Sequence, residues 1–161
     1  MGEQRLWAPW RLSYVKGERK PEGCIFCLAA EPGEDEERYV LHRGERCFAM
    51  LNAYPYNSGH LMVSPHRHVP SLEDLADEEL LELMTLTRTS LGAVRAVYAP
   101  DGFNLGVNEG EIAGAGFAGH VHMHVVPRWA ADTNFMAVTG DTRVLPQALE
   151  DTYAALRERF A

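Results

Sequence analysis

The sequence predicts an α+β domain on a mostly antiparallel sheet, with one long central helix and a C-terminal helix. Three observations predict it. Strand-like runs cluster early and are joined by short, turn-rich connections. One long stretch then carries apolar residues at every third or fourth position. Two more strand-like runs and a second helical stripe follow, so the order is strands, helix, strands, helix rather than a regular alternation.

The elements follow in chain order. "RYVLHR", "RCFAMLN" and "GHLMVSP" read as strands, the last two linked by the turn "AYPYNS". "SLEDLADEELLELMTLTRTSLGAVRAVYAP" reads as the long helix. Its stripe is Leu80, Met84, Thr87, Leu91, Val94 and Tyr98, its first turn holds Asp77, Glu78 and Glu79, and Pro100 and Gly102 end it. "GFNLGVN" alternates Phe103, Leu105 and Val107, as a strand buried on one face does. After the glycine-rich "EGEIAGAGFAG" comes "GHVHMHVVPRW", a strand carrying His120, His122 and His124. Leu145, Leu149, Tyr153, Leu156 and Phe160 mark the final helix.

The chain has 161 residues, 46% of them hydrophobic, which suits one core. Residues 21–161 are expected to form one domain. Residues 1–20, aromatic and basic with Trp7, Trp10 and Tyr14, are expected to be an arm packed on its body. No apolar run reaches the roughly 20 residues that span a bilayer. "MGEQRLWAPWRLSYVKG" lacks the apolar centre of a signal peptide. The expectation is a cytoplasmic protein with no membrane partner.

The net charge is −8, from 23 acidic against 15 basic residues. That field repels a phosphate backbone, so nucleic acid is not an expected partner. Lys16 and Lys20 are the lysines, both in the N-terminal arm. Phosphate bound deeper in the fold must be held by backbone amides, histidine or arginine. Three cysteines exclude full disulfide pairing, and Cys24 with Cys27 in "CIFC" reads as a metal-ligand or redox pair. One CxxC is half of a tetrahedral zinc site, and Cys47 stands alone, so histidine must complete any such site.

Alternating residues on a strand project from one face, so the three imidazoles form a row while Val121, Met123 and Val125 face the core. A solvated strand face draws on Thr, Lys, Glu and Arg rather than on three histidines. One metal held by all three is awkward, because the outer two backbones lie about 13 Å apart. Two of the three could share a metal. A third reading is nucleophilic catalysis: a neutral imidazole attacks phosphorus, and its neighbours hydrogen-bond the phosphate oxygens. The preceding "AGAGFAG" would let backbone amides approach a phosphate closely, although no Gly-Lys-Ser/Thr follows as in a Walker loop.

"HVHMHVV" resembles the His-φ-His-φ-His-φ-φ signature of the histidine triad superfamily of nucleotide hydrolases and transferases. The resemblance extends through "CIFC", "LNAYPYNSGHLMVSPHRHV" and "GFNLGVNEG". "WAPWRLSYV" and "ADTNFM" look like the bacterial subgroup related to diadenosine tetraphosphate hydrolases and phosphorylases. It implies a HIT-like fold, a homodimer, and cleavage of a nucleoside polyphosphate through a nucleotidyl-histidine.

By this resemblance His122 is the nucleophile, His124 bonds the phosphate, His120 lies behind the nucleophile, and His60 buttresses the triad. Asn52 corresponds to a ribose contact, although an asparagine opening a turn is the alternative reading. Asn108 corresponds to a polar group at the phosphate edge, and Met50 and Met62 to the base pocket or simply core. Where many relatives place Gln or Ser before the triad, this chain has Ala115, Gly116 and Phe117, which leaves backbone amides of Gly116 and Phe117 to contact the phosphates.

The zinc-bearing branch of the family implies a structural Cys2His2 site of Cys24, Cys27, His68 and His120, with His66 and His42 as less favoured ligands and no organic cofactor. A metal-free dithiol is the competing reading. Water and inorganic phosphate are equally compatible acceptors, because the intermediate is the same. Two rivals stand beside the triad enzyme: a hydrolase whose histidine row holds a catalytic metal, and a nucleotide sensor of low turnover.

Overall fold

The computed structural model describes residues 23–130, 132 and 147–160. The N-terminal arm, most of "ADTNFM" and Leu145 lie outside the described residues. Helix α1 spans Ile25–Ala30. Strands β1 (Val40–Arg43), β2 (Cys47–Leu51) and β3 (Leu61–Pro65) follow. A 3-10 turn, Leu72–Asp74, leads into helix α2 (Asp77–Tyr98). Strands β4 (Gly102–Val107) and β5 (Met123–Arg128) and helix α3 (Leu149–Arg157) complete the order. The strands form one antiparallel sheet in the order β1-β2-β3-β5-β4, the α+β architecture that the sequence predicts.

Strand alternation divides the core in two. Leu41, Ala49, Leu51, Leu61, Val63 and Val125 face Leu83, Leu86 and Val94 of α2 and Leu156 of α3. The opposite face carries Val40, Phe48, Met50 and Met62, covered by Phe26 and Ala29 of α1. Register sets one cross-sheet row on this second face: Met50 pairs with Met62, Met62 with His124, and His124 with Gly106. The sheet thus fixes His124 beside two apolar side chains.

Three expectations are corrected. The buried stripe of α2 is Leu83, Leu86, Thr87, Ser90, Ala93 and Val94, whereas Met84 is 51% exposed. "LLELMTL" offers several leucine rows of equal period, and the sheet selects the one continued by small residues, which let the backbones approach. The two buried hydroxyls on that row are satisfied within the helix, Thr87 donating to the Leu83 carbonyl and Ser90 to that of Leu86. Leu105 is 46% exposed, and β4 is the edge strand of the sheet among the described residues. Regular pairing of β5 begins at Met123, so His120 and His122 lie on the segment leading into the strand. That lead-in is held by Val121, whose N–H donates to the Val69 carbonyl and whose carbonyl accepts from the Ser64 hydroxyl.

Candidate active site

The site is assembled from four pieces: the start of α1, the β2–β3 connection, the segment after β3, and the lead-in to β5. At α1, Cys24 opens the helix and its carbonyl accepts the Leu28 N–H. The other end is tied by Arg43, which donates to the Ala30 and Glu31 carbonyls and to Asp35, and by Arg38, which donates to the Leu28 carbonyl. Guanidinium groups on the last carbonyls satisfy acceptors that a six-residue helix leaves open.

Cys24, Cys27, His68 and His120 converge there, with one ligand atom of each within 4.8 Å of every other. The His120 Nε2–H donates to the Pro65 carbonyl at 2.9 Å. That bond leaves Nδ1 unprotonated, and Nδ1 faces Cys24 Sγ at 3.4 Å and Cys27 Sγ at 3.7 Å. His68 Nδ1 lies 3.2 Å from Cys27 Sγ. Zinc bond lengths of about 2.3 Å to sulfur and 2.0–2.1 Å to nitrogen put tetrahedral S–N edges near 3.6 Å, so the donor set fits zinc. A side chain at Gly119 would sit 3.3 Å from His68 Nε2, so glycine there gives the ring room. His66 and His42 are elsewhere: His66 stacks on Phe48 beside the Gly44 carbonyl, and His42 stacks on Phe160.

His122 has a different environment. Its Nδ1–H donates to the His120 carbonyl at 2.8 Å, which leaves the Nε2 lone pair free. Burial holds its pKa below the usual histidine value, against the raising effect of that carbonyl, so the ring is neutral near pH 7. Burial likewise lowers His120, so that ring too is neutral near pH 7. The row does not gather around one metal, since only His120 turns toward the cysteines.

His124 stands beside His122, ring centroids 4.8 Å apart. His60, 1% exposed, accepts the Tyr56 backbone N–H at Nδ1 (3.1 Å) and lies with Nε2 3.0 Å from His124 Nδ1. A backbone amide can only donate, and at 3.1 Å it is closer than the Asn52 amide nitrogen 3.5 Å from Nε2, so His60 carries its proton on Nε2 and gives it to His124 Nδ1. His124 is thereby left with its own proton on Nε2. Beneath this pair, Gly59 adopts φ +81°, and the Tyr98 ring lies 3.2 Å from where a Cβ would be, so the turn into His60 requires glycine.

A cavity of about 250 Å³ opens onto His122 and His124. Its walls are Ile25, Phe26, Met50 and Met62 on one side, Asn52, Ala53, Tyr54 and Tyr56 on another, and Gly114, Gly116 and Phe117 from the glycine loop. None of these carries a formal charge. Asn52 is 8% exposed; its Oδ1 accepts the Tyr54 N–H, so it closes the turn and also lines the cavity. Asn108 is not a lining residue and sits against Gly114. A larger open groove of about 980 Å³ lies between Tyr39, the Glu36–Glu37 loop and α3, without histidine or cysteine. We therefore place the chemistry in the smaller cavity. The sequence alone does not point to Ile25, Phe26, Tyr54 or Tyr56; the aromatic repeat in "AYPY" is the one signal that could have found the last two.

Residues 34–131 match the model of the HIT domain family. The chain belongs to the HIT family. This HIT protein is 44% identical over 165 residues to a Mycobacterium tuberculosis (strain CDC 1551 / Oshkosh) protein named AP-4-A phosphorylase, covering 98% of this chain and 85% of that one. It is 37% identical over 93 residues to a Schizosaccharomyces pombe bis(5'-nucleosyl)-tetraphosphatase (asymmetrical), covering 58% of this chain and 50% of that one. Its fold matches a Zn-bound histidine triad family protein from Mycobacterium smegmatis with a TM-score of 0.66 and 24% identity, over 86% of this chain and 93% of that one. No helix among the described residues is long and apolar enough to cross a membrane.

Proposed function

We propose that this HIT protein cleaves diadenosine tetraphosphate at an α-phosphate, through a nucleotide covalently attached to His122, and passes the nucleotide to inorganic phosphate. The observation that carries the reading is the free Nε2 lone pair of a neutral His122 on the cavity wall, next to a His124 whose proton sits on Nε2.

In the first step the His122 Nε2 lone pair forms a bond to the α-phosphorus while the bond to the bridging oxygen breaks, and the leaving nucleoside polyphosphate takes that electron pair. His124 donates to a non-bridging oxygen, where charge accumulates. The His122 ring becomes cationic on phosphorylation, and the His120 carbonyl on Nδ1–H stabilises that charge. In the second step an oxygen of phosphate attacks phosphorus and His122 leaves with its electron pair restored. The name of the 44% identical relative supports phosphate over water as acceptor. Backbone amides of Gly116 and Phe117 contact the phosphates, Asn52 the ribose, and Met50 and Met62 the base; Asn108 serves the phosphate edge from outside the cavity wall.

Cys24, Cys27, His68 and His120 would hold a structural zinc ion, which supplies cross-linking of α1 to the triad segment and no contact with substrate. The exposed Leu105 on edge strand β4 supports pairing into a homodimer. The protein is read as a cytoplasmic nucleotide enzyme with neither membrane nor nucleic-acid partners, and its net charge of −8 supports the exclusion of nucleic acid.

The test is incubation of the protein with diadenosine tetraphosphate, with and without inorganic phosphate, with products separated by ion exchange. ADP plus ATP formed only with phosphate is the expected result. AMP plus ATP without phosphate would reassign the acceptor to water. Turnover retained by His122→Asn would remove the nucleophile assignment, and tight nucleotide binding without product would leave a sensor.

A further inference from the structure

Phe26 lies between the two cysteines of the Cys24–Cys27 pair, on the first turn of α1, and is 1% exposed. Its ring stacks on His122, with centroids 4.4 Å apart and planes inclined by 27°. It also meets His120, at 5.2 Å and 41°, and the edge of Phe117 at 6.0 Å. One aromatic ring therefore touches both the proposed nucleophile and a member of the cysteine–histidine cluster.

The His122 ring needs such a neighbour. Its Nδ1–H bond to the His120 carbonyl fixes one ring atom, but rotation about the bond joining the ring to its Cβ is intrinsically broad for histidine. The Nε2 lone pair lies in the ring plane, so rocking of that plane swings it off the line to phosphorus. An attacking group must be held within about 10–20° of its productive direction, and small misplacements cost about 100-fold in rate. Phe26 covers one face of the ring and opposes that rocking. Phe26 is itself held firmly, because α1 is tied at its end by Arg43 and Arg38 and its start brings Cys24 and Cys27 against His120 and His68.

We infer that Phe26 is a positioning residue that fixes the plane of the His122 imidazole, and that the Cys24–Cys27–His68–His120 cluster acts on catalysis through it. The inference rests on His122 being the attacking group. "CIFC" then has two roles, since its thiols hold the cluster and the phenylalanine between them aligns the nucleophile.

The test compares wild type with Phe26→Leu and Phe26→Tyr, using diadenosine tetraphosphate and phosphate, with bound zinc counted by atomic absorption. Phe26→Leu is expected to lower kcat about 10–100-fold, a larger factor than any rise in KM from its place in the cavity wall, with zinc content unchanged. Phe26→Tyr, which keeps the ring, is expected to retain most of kcat. A rise in KM at unchanged kcat would make Phe26 a substrate contact and overturn the proposal, as would unaltered kinetics or loss of zinc in step with kcat.

Two further arms separate this proposal from the proposed function. Carbon relaxation at the His122 ring, measured without substrate, should show a rigid ring in wild type and a mobile one in Phe26→Leu; a rigid ring in both overturns it whatever the substrate. His68→Gln, at an exposed ligand, should lower kcat strongly in wild type and only slightly in the Phe26→Leu background. Equal factors in both backgrounds would sever the cluster from Phe26.

Discussion

The Nε2 of His60 lies 3.0 Å from the Nδ1 of His124, and this contact decides which nitrogen of His124 carries its proton. The decision originates one step further back, in the Tyr56 backbone N–H on His60 Nδ1. A main-chain amide cannot change its role, and its 3.1 Å bond outweighs the Asn52 amide nitrogen that faces His60 Nε2 at 3.5 Å, so the His60 proton points at His124.

His60→Ala removes the donor to His124 Nδ1 and lets that ring adopt the tautomer with no donor on Nε2. The expected loss is about 10–100-fold in kcat, the range for partners that orient a functional histidine, with KM little changed. His60→Gln, whose amide N–H can replace the imidazole donor, should recover part of it. Steady-state kinetics of the two variants check this, and equal activity in both would dissociate His60 from the tautomer of His124.

The triad, the cysteine pair and the order of strands and helices along the chain are legible in the sequence because each depends on local spacing. His120, His122 and His124 stay neighbours although regular pairing begins only at Met123: His122 and His124 lie 4.8 Å apart, and Phe26 meets both His122 and His120. Which nitrogen each ring uses is not legible. That depends on the Pro65 carbonyl for His120 and on the Tyr56 amide for His60, groups brought close only by the tertiary fold. Phe26 is hidden for a related reason, because an apolar residue between two cysteines reads as spacing until α1 is placed against the sheet. The expected stripe of α2 holds at Thr87 and Val94, with Leu91 and Tyr98 packed at its edge, but misses Leu83 and Leu86, because periodicity gives a face but no phase among adjacent leucines.

The three thiols should differ in reactivity. Burial pushes the Cys47 thiol up to about 12, with Glu82 and Glu79 adding to the rise, so it remains protonated throughout the ordinary pH range. Its sulfur also faces the Glu79 carbonyl at 3.6 Å. In the folded, zinc-loaded protein at pH 8 no thiol should react with Ellman's reagent. Chelation should release two, Cys24 and Cys27, and a denaturant the third. Cys24→Ser should lower zinc content and thermal stability together, and unchanged zinc content would remove the site.

Glu79 predicts the acid limb of stability. The Arg67 guanidinium holds its carboxyl at about 2, with help from the Ala76 N–H and against the effect of burial. A carboxyl depressed in the fold stabilises above its unfolded pKa of about 4.5 and loses that contribution as pH falls toward 2. The contribution is on the order of 2 kcal/mol, reduced from the full shift because Arg67 is half in solvent. Glu79→Gln should therefore be less stable than wild type at pH 7, and the two melting curves should converge between pH 4 and about 2. A pH-independent difference would place the effect in packing instead.

Asn57 links the far end of β5 to the turn that delivers His60. Its side-chain amide donates to the Pro127 carbonyl at 2.8 Å and to Asp132 Oδ2 at 3.0 Å, while its backbone carbonyl accepts the His60 N–H at 3.1 Å. Arg128 beside Asp132 holds that carboxyl well below the usual carboxylate range, so it is charged at any working pH. Asn57→Ala leaves a buried carbonyl and a carboxylate oxygen short of one donor, which costs about 1–3 kcal/mol. Asn57→Asp keeps the shape but sets a second carboxylate against Asp132 in a position only 6% exposed, where like charges cannot both ionise cheaply. The aspartate variant should therefore have the lower urea midpoint of the two at pH 7, and the gap should narrow as pH falls and the new carboxyl protonates. If alanine proves the more damaging at every pH, the Asn57–Asp132 contact is not what holds this turn.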